Sequence, residues 1–199
     1  MFTLIGDIVG SRKIADRAAA QQAISAALNR VNEAIDTAQP LEPTLGDEVQ
    51  GGFTTVADAT LAALLINLEL SPDIEMRFGL GKGDVTVHDS SRHPLLQDGP
   101  GWWTAREAIS TLEGRRGTWY VGPSEENPPP ALVNAFLLAR DALVARLSDR
   151  QQRMLLLSFQ GRSQREIAAT EKISQSAVSQ AFAKGVRAAH DAQLTFGKA

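Results

Sequence analysis

The order in which strand-like and helix-like stretches alternate over the first half of the chain limits the fold more than any other feature. Phe2 to Val9 is an apolar, β-rich run that reads as a buried strand. From Ile14 to Ala38 the residues Ala20, Ile24, Ala27, Leu28, Val31, Ala34 and Ile35 recur at helical spacing. Pro40 and Pro43 end that helix and open an extended stretch. Thr44-Leu45 and Val49 to Thr54 read as two short strands around a Gly46-Asp47 turn. Ala57 to Leu70 is a second helix stopped by Ser71-Pro72. Ile74 to Leu80 is a further strand, with Val85 to Val87 pairing nearby.

The resulting β-α-β-β-α-β order is the ferredoxin-like pattern, an α+β fold. Beyond it, Gly99-Pro100-Gly101 leads into a helix over Trp102 to Leu112, and Thr118 to Val121 reads as one more strand. Gly122 to Pro130, with the run Pro128-Pro129-Pro130, cannot continue as helix. Proline lacks the amide donor and restricts the residue before it. The expected organisation is an α+β domain over 1–122 and a Pro-rich linker with a connecting helix (Ala131 to Leu147) over 123–147. An all-α domain over 148–199 completes it.

That last segment carries its own start signals. Ser148 with Gln151, and Ser163 with Glu166, are capping boxes ahead of apolar runs. Ser174 caps a third helix expected from Gln175 to Ala192. Ile167, Ala168, Ile173 and Val178 are spaced to fill a small core between the second and third helices. This is the layout of a helix-turn-helix, whose last helix lies in the major groove of double-stranded DNA. At its front, Gln175, Ser176, Ser179 and Gln180 suit base edges. Arg165, Lys172, Lys184 and Arg187 suit phosphates. From Ser148 onward there are 8 Lys+Arg against 4 Asp+Glu, a net +4, which leaves −7 for the rest of a chain of formal charge −3. A basic tail on an acidic body is what a DNA-binding appendage produces. A plain helical hairpin used for dimerisation is the alternative.

The chain has no cysteine, which excludes disulfides and thiolate metal sites. No apolar run reaches the roughly 18 residues of a membrane span, and Met1-Phe2-Thr3-Leu4 lacks the features of a signal peptide. The expected location is the cytoplasm. Two acidic motifs stand out in the first half. In Leu4-Ile5-Gly6-Asp7-Ile8-Val9-Gly10-Ser11 and Thr44-Leu45-Gly46-Asp47-Glu48, an aspartate ends a strand-like run beside glycine. Singly, each reads as a turn former. As a pair they suit a hard cation, Mg2+ or Mn2+, with Asp7, Ile8 and Asp47 as its site. Gly10, Ser11 and Arg12, followed by Lys13, sit where a helix start would bind phosphate. Gly79-Leu80-Gly81-Lys82-Gly83 lacks the spacing of a P-loop. His88, His93 and His190 form no metal-ligand spacing, and Trp102, Trp103 and Trp119 are expected in packing.

Three resemblances add to these readings. Gly161 to Ala168 followed by Ile173 to Ser179 resembles the region-4-like helix-turn-helix of sigma factors and related regulators. The N-terminal motifs are similar to those of class III nucleotidyl cyclases and, more distantly, GGDEF-type cyclases. That likeness implies two metals on Asp7 and Asp47, with Arg106 in Thr104-Ala105-Arg106 at the transition-state arginine. It also implies a homodimer, because the family's sites form between two subunits. The family's catalytic asparagine falls at Trp102 and its purine-reading lysine at Pro43, and Asp98 lies near its base-reading aspartate. Over nearly its whole length the chain resembles the SatD family. The residues that carry this are Gly6 to Arg12, Leu45 to Glu48, Phe78 to Asp84, Ala105 to Glu107 and Ser163 to Gln180.

Together these readings imply a transcriptional regulator whose cyclase-like domain senses a nucleotide or nucleotide-derived ligand, with Arg106 on phosphate. One alternative is an active cyclase that uses ATP or GTP, which Trp102 and Pro43 argue against. The other is a ligand-free scaffold that dimerises the DNA module.

Overall fold

The computed structural model describes residues 1–44, 47–91 and 94–198, with Lys13 described by its backbone alone. Leu45, Gly46 and His93, named above, lie outside the described residues. The chain is a mixed α+β protein and divides into two compact units, residues 1–137 and 138–199.

The first unit is built on a five-stranded sheet of order β2-β3-β1-β4-β7. β1 (Phe2–Ile8) lies between β3 (Val49–Phe53) and β4 (Met76–Lys82) and is antiparallel to both. β2 (Gln39–Pro43) forms one edge, and β7 (Gly117–Val121) runs parallel to β4 at the other. Pro40 and Pro43 therefore sit inside a strand rather than ahead of one. They are tolerated because an edge strand has amides that need no ladder partner. The segment expected to pair near β4 is instead β5 (Thr86–Asp89), which forms a separate two-stranded sheet with β6 (Leu96–Asp98).

Successive side chains of β1 alternate between faces. Ile5 packs against α3 (Pro100–Thr111) in a cluster with Trp102, Ala105 and Ile109. The other face meets α2 (Val56–Leu70), which in turn packs on α1 (Arg17–Ala34). Ile24, Leu28, Ile66 and Leu68 there are almost fully buried. α1 is shorter than its periodicity predicts. Ser11–Lys13 forms a separate 3-10 turn, and the Asp16 carboxylate caps the helix by accepting from the Ala19 amide at 2.9 Å. At the far end the Ala38 amide donates to Gly52, so the chain has already joined the sheet.

Gly79 and Gly81 permit the close seat of α3 on β4. A Cβ on Gly79 would lie 2.3 Å from the Ala105 carbonyl oxygen, and one on Gly81 2.4 Å from the Ala105 amide nitrogen. An asparagine from each of three helices clamps a strand by using both ends of its amide. Asn32 of α1 bonds Leu41, Asn67 of α2 bonds Met76, and Asn134 of α4 (Pro130–Val144) bonds Tyr120, each at both backbone N–H and C=O. The last clamp explains why the first unit continues past the Pro-rich stretch. Residues 123–137 belong with it, and 138–147 belong with the second unit.

In the second unit both capping boxes form, at Ser148/Gln151 for α5 (Asp149–Phe159) and Ser163/Glu166 for α6 (Gln164–Glu171). Lys172 turns the chain in a left-handed conformation (φ 54°), and Ser174 caps α7 (Gln175–Ala181). Ile167, Ala168 and Val178 are buried, with Ile173 half-buried beside them. The single helix expected from Gln175 to Ala192 is two. A π-helical turn at Phe182–Val186 separates α7 from α8 (Arg187–Phe196). Its cause is Gly185, at φ 140°, whose α-carbon is pressed so near Leu147 that an added Cβ would lie 3.2 Å from that side chain. The buried Arg140 ties α4 to α8 through the Gln193 side chain at 2.9 Å. No helix among the described residues is long and apolar enough to cross a membrane.

Candidate functional site

β1 ends at a charged corner. Asp7 lies opposite Arg77 in the β1/β4 register, so the two side chains leave the sheet on the same face. They form a bidentate pair. Arg77 donates from Nε to Oδ1 at 2.5 Å and from Nη2 to Oδ2 at 2.6 Å. Only 21% of the Arg77 side chain and 25% of the Asp7 side chain remain exposed. The hydrogen bonds to Asp7, with the charges of Asp7 and Asp47 adding, raise the Arg77 pKa above the ordinary arginine value. Its charge is therefore fixed at any physiological pH.

A second pair stands nearby. Arg106 of α3 donates to both carboxylate oxygens of Glu48, at 2.5 and 2.9 Å, and Glu48 Oε1 also accepts from the Gln50 amide at 3.0 Å. Glu48 holds the Arg106 pKa up, and the charge of Asp7 contributes. The stretch before Glu48 is closed by the Thr44 amide, which donates to the Glu48 carbonyl at 2.8 Å. One end of the sheet thus gathers Asp7, Asp47, Glu48, Arg77 and Arg106 from β1, β4, α3 and the β2–β3 connection, all within one chain.

Asp47 also lines a cavity of about 160 Å3. Ser11, Arg17 and Gln21 complete its polar side, and Ile8, Ile14 and Ala20 its apolar side. That volume takes a base or a phosphate, but is smaller than the roughly 300–1,000 Å3 of a pocket for a whole drug-sized ligand. Gly10, at φ 70°, turns β1 into the 3-10 turn, where Ser11 is half-buried and Arg12 exposed. The sequence places Gly10, Ser11 and Arg12 at a helix start. In the structure that start is the one of the 3-10 turn, while the N-terminus of α1 lies further on and is occupied by the Asp16 carboxylate. Among the described residues neither Arg12 nor Arg17 is ion-paired.

A divalent metal on Asp7 and Asp47 meets an obstacle in this arrangement. Both Asp7 oxygens already hold a guanidinium, and a hard cation needs several oxygen ligands. Among the described residues no group of three or more His, Asp or Glu is placed to hold a metal ion. With Arg77 in place, the residues present do not fit the group. Trp102, at the asparagine position, is a core residue 7% exposed. Pro43 ends the edge strand β2. Asp98 Oδ1 accepts from the Gly99 amide and the Trp103 indole, both at 2.7 Å, which binds it to the start of α3. Those bonds lower its pKa, the Gly99 amide most.

In the second unit Arg165, Lys172, Gln175, Ser176, Ser179, Gln180, Lys184 and Arg187 are all exposed. Val178 is buried, so α7 turns Gln175, Ser176, Ser179 and Gln180 away from the core. Among the described residues Arg165, Lys172, Lys184 and Arg187 have no ion-pair partner. The neighbouring Arg150 and Arg153 are held by Glu171, and Arg162 by Glu166.

The sequence reading passed over Arg77, Glu48, Arg17 and Gln21 as site residues. Arg77 and Glu48 stand inside motifs it quoted, but only the strand register and the closure of the β2–β3 connection give them their partners. A family model described as the SatD family matches residues 1–189. No curated protein matches the chain.

Proposed function

The chain belongs to the SatD family, and from that premise we propose that it is a cytoplasmic DNA-binding transcriptional regulator. Its cyclase-like unit senses a nucleotide or nucleotide-derived ligand. The observation that carries the DNA half is the sorting of charge in the second unit. The four cations that a helix-turn-helix would place on phosphates are unpaired among the described residues, while Arg150 and Arg153 share Glu171 and Arg162 pairs with Glu166. α6 and α7, with the turn at Lys172, supply the helix-turn-helix, and α7 is the recognition helix. A homodimer, which the cyclase resemblance implies, would present two such helices to a two-fold site.

The ligand half is supported by the strand order β2-β3-β1-β4, the order a ferredoxin-like domain would have, and by the charged corner beside the cavity. Arg106, Arg12 and Ser11 are the phosphate contacts in this reading, and Asp47 and the cavity take the rest of the ligand. Magnesium or manganese joins only where Arg77 gives up Asp7. Turnover of ATP or GTP is the second reading, favoured by the gathering of Asp7, Asp47 and Arg106. It lacks the asparagine, whose position Trp102 fills, and losing a transition-state contact costs on the order of 100-fold or more in rate.

The test uses the full chain. A labelled random duplex should bind at low salt, with log affinity falling linearly with log salt, and Lys172→Ala should reduce that slope by about 1. Absence of binding at low salt by the folded chain would end the DNA reading. ATP or GTP incubated with the protein should be recovered unchanged on chromatography. A cyclic product that disappears in Asp47→Ala would establish the enzyme instead.

A further inference from the structure

We propose that Arg77 is the resident cation of this site: its guanidinium takes the place of a divalent metal on Asp7, and a phosphate-bearing ligand binds here without metal. The geometry points to this in three ways. Arg77 engages both oxygens of Asp7, at 2.5 and 2.6 Å, which is how a guanidinium satisfies a carboxylate most fully. The backbone of β4 fixes the pair. Arg77 is in register with Asp7 on one side and Gly117 on the other, so its Cα cannot retreat without breaking two strand ladders. The pair is also three-quarters buried, where two hydrogen bonds and an ion contact are screened less than at the surface.

A metal on Asp7 would have to displace both bonds and sit beside a fixed positive charge. A phosphate would not. Arginine has five N–H donors, and Asp7 uses one on Nε and one on Nη2. The remaining donors belong to the side of the guanidinium away from the carboxylate. Arg106, more than half exposed on Glu48, adds a second cation that can be shared with an anion. The corner holds two guanidiniums against three carboxylates, a formal −1, so a phosphate is met here by the remaining N–H donors of Arg77 and Arg106 rather than by a net positive charge. The clause about the phosphate-bearing ligand rests on the proposed function. The claim about Arg77 and the metal does not.

The experiment is a titration with Mn2+ alone, followed by isothermal calorimetry and by the manganese paramagnetic resonance signal. The wild-type chain should show no Mn2+ site that Asp7→Asn removes. Arg77→Gln, checked for folding by circular dichroism, should bind Mn2+ at least about tenfold more tightly than wild type, because a competing positive charge near the carboxylate is gone. Asp7→Asn combined with Arg77→Gln should lose that gain, and Arg77→Lys, which keeps the charge, should not show it. A wild-type Mn2+ site that depends on Asp7 overturns the proposal, and so does a folded Arg77→Gln that binds no better than wild type. If Arg77→Gln does not fold, the comparison of wild type with Asp7→Asn decides alone. Because no nucleotide is present, the outcome stands whether or not the chain senses one.

Discussion

At the scale of single residues, Trp102 separates a catalytic reading of the first unit from a structural one. It stands where the cyclase resemblance implies an asparagine, yet it packs with Ile5, Ala105 and Ile109 under the sheet. Its indole N–H is buried and finds no acceptor among the described residues, so its worth lies in packing. Trp102→Ala should cost about 3–5 kcal/mol of stability, read from a denaturant titration. A cost near zero would return Trp102 to the site. Asp7 and Asp47 were legible in the sequence because aspartate beside glycine at a strand end is a local signal. Arg77 was not, since its role follows from a pairing 70 residues distant along the chain.

At the scale of elements, the close approach of α3 to β4 sets the position of Arg106. Gly79→Ala or Gly81→Ala would drive a methyl group into the backbone of α3, where nothing flexible can give way. Each should cost at least about 1–3 kcal/mol and loosen the Arg106–Glu48 pair. The spacing of the glycine-rich string already argues against a P-loop, but only the packing of a helix on it gives the reason for its glycines. Asn134→Ala should cost about 1–3 kcal/mol by leaving the Tyr120 N–H and C=O unpaired in a buried setting. Denaturant titration checks both. In the second unit, Arg153 bonds Glu171 and lowers its pKa. A carboxylate depressed in the folded state stabilises above its unfolded pKa, and that contribution is lost as pH falls through the lowered value. Thermal melts should show the α5–α6 contact weakening as pH falls through and below the ordinary glutamate range, and Glu171→Gln should flatten that part of the profile. The helix starts at Ser148, Ser163 and Ser174 were readable because a cap is a short-range pattern. The break at Gly185 was not, because it answers to Leu147 rather than to its neighbours in sequence.

At the scale of the whole molecule, a family model that spans residues 1–189 joins an acidic α+β unit to a basic helical one in a single chain. The order of the elements was legible from periodicity, and so was the sign of each half's charge. The arrangement of the charged corner depended on strand register, which periodicity does not carry. The coupling of the two units is the step on which the regulator reading depends. The measurement that decides it is fluorescence anisotropy of a duplex selected by the full chain, titrated at fixed salt with and without saturating ATP or GTP. The regulator reading expects one nucleotide to shift the DNA affinity by about 5–150-fold, the usual span of coupling between sites. It also expects Arg106→Ala to abolish the shift while leaving the nucleotide-free affinity unchanged. An affinity indifferent to every nucleotide tested, in a chain shown to bind that nucleotide, would contradict it.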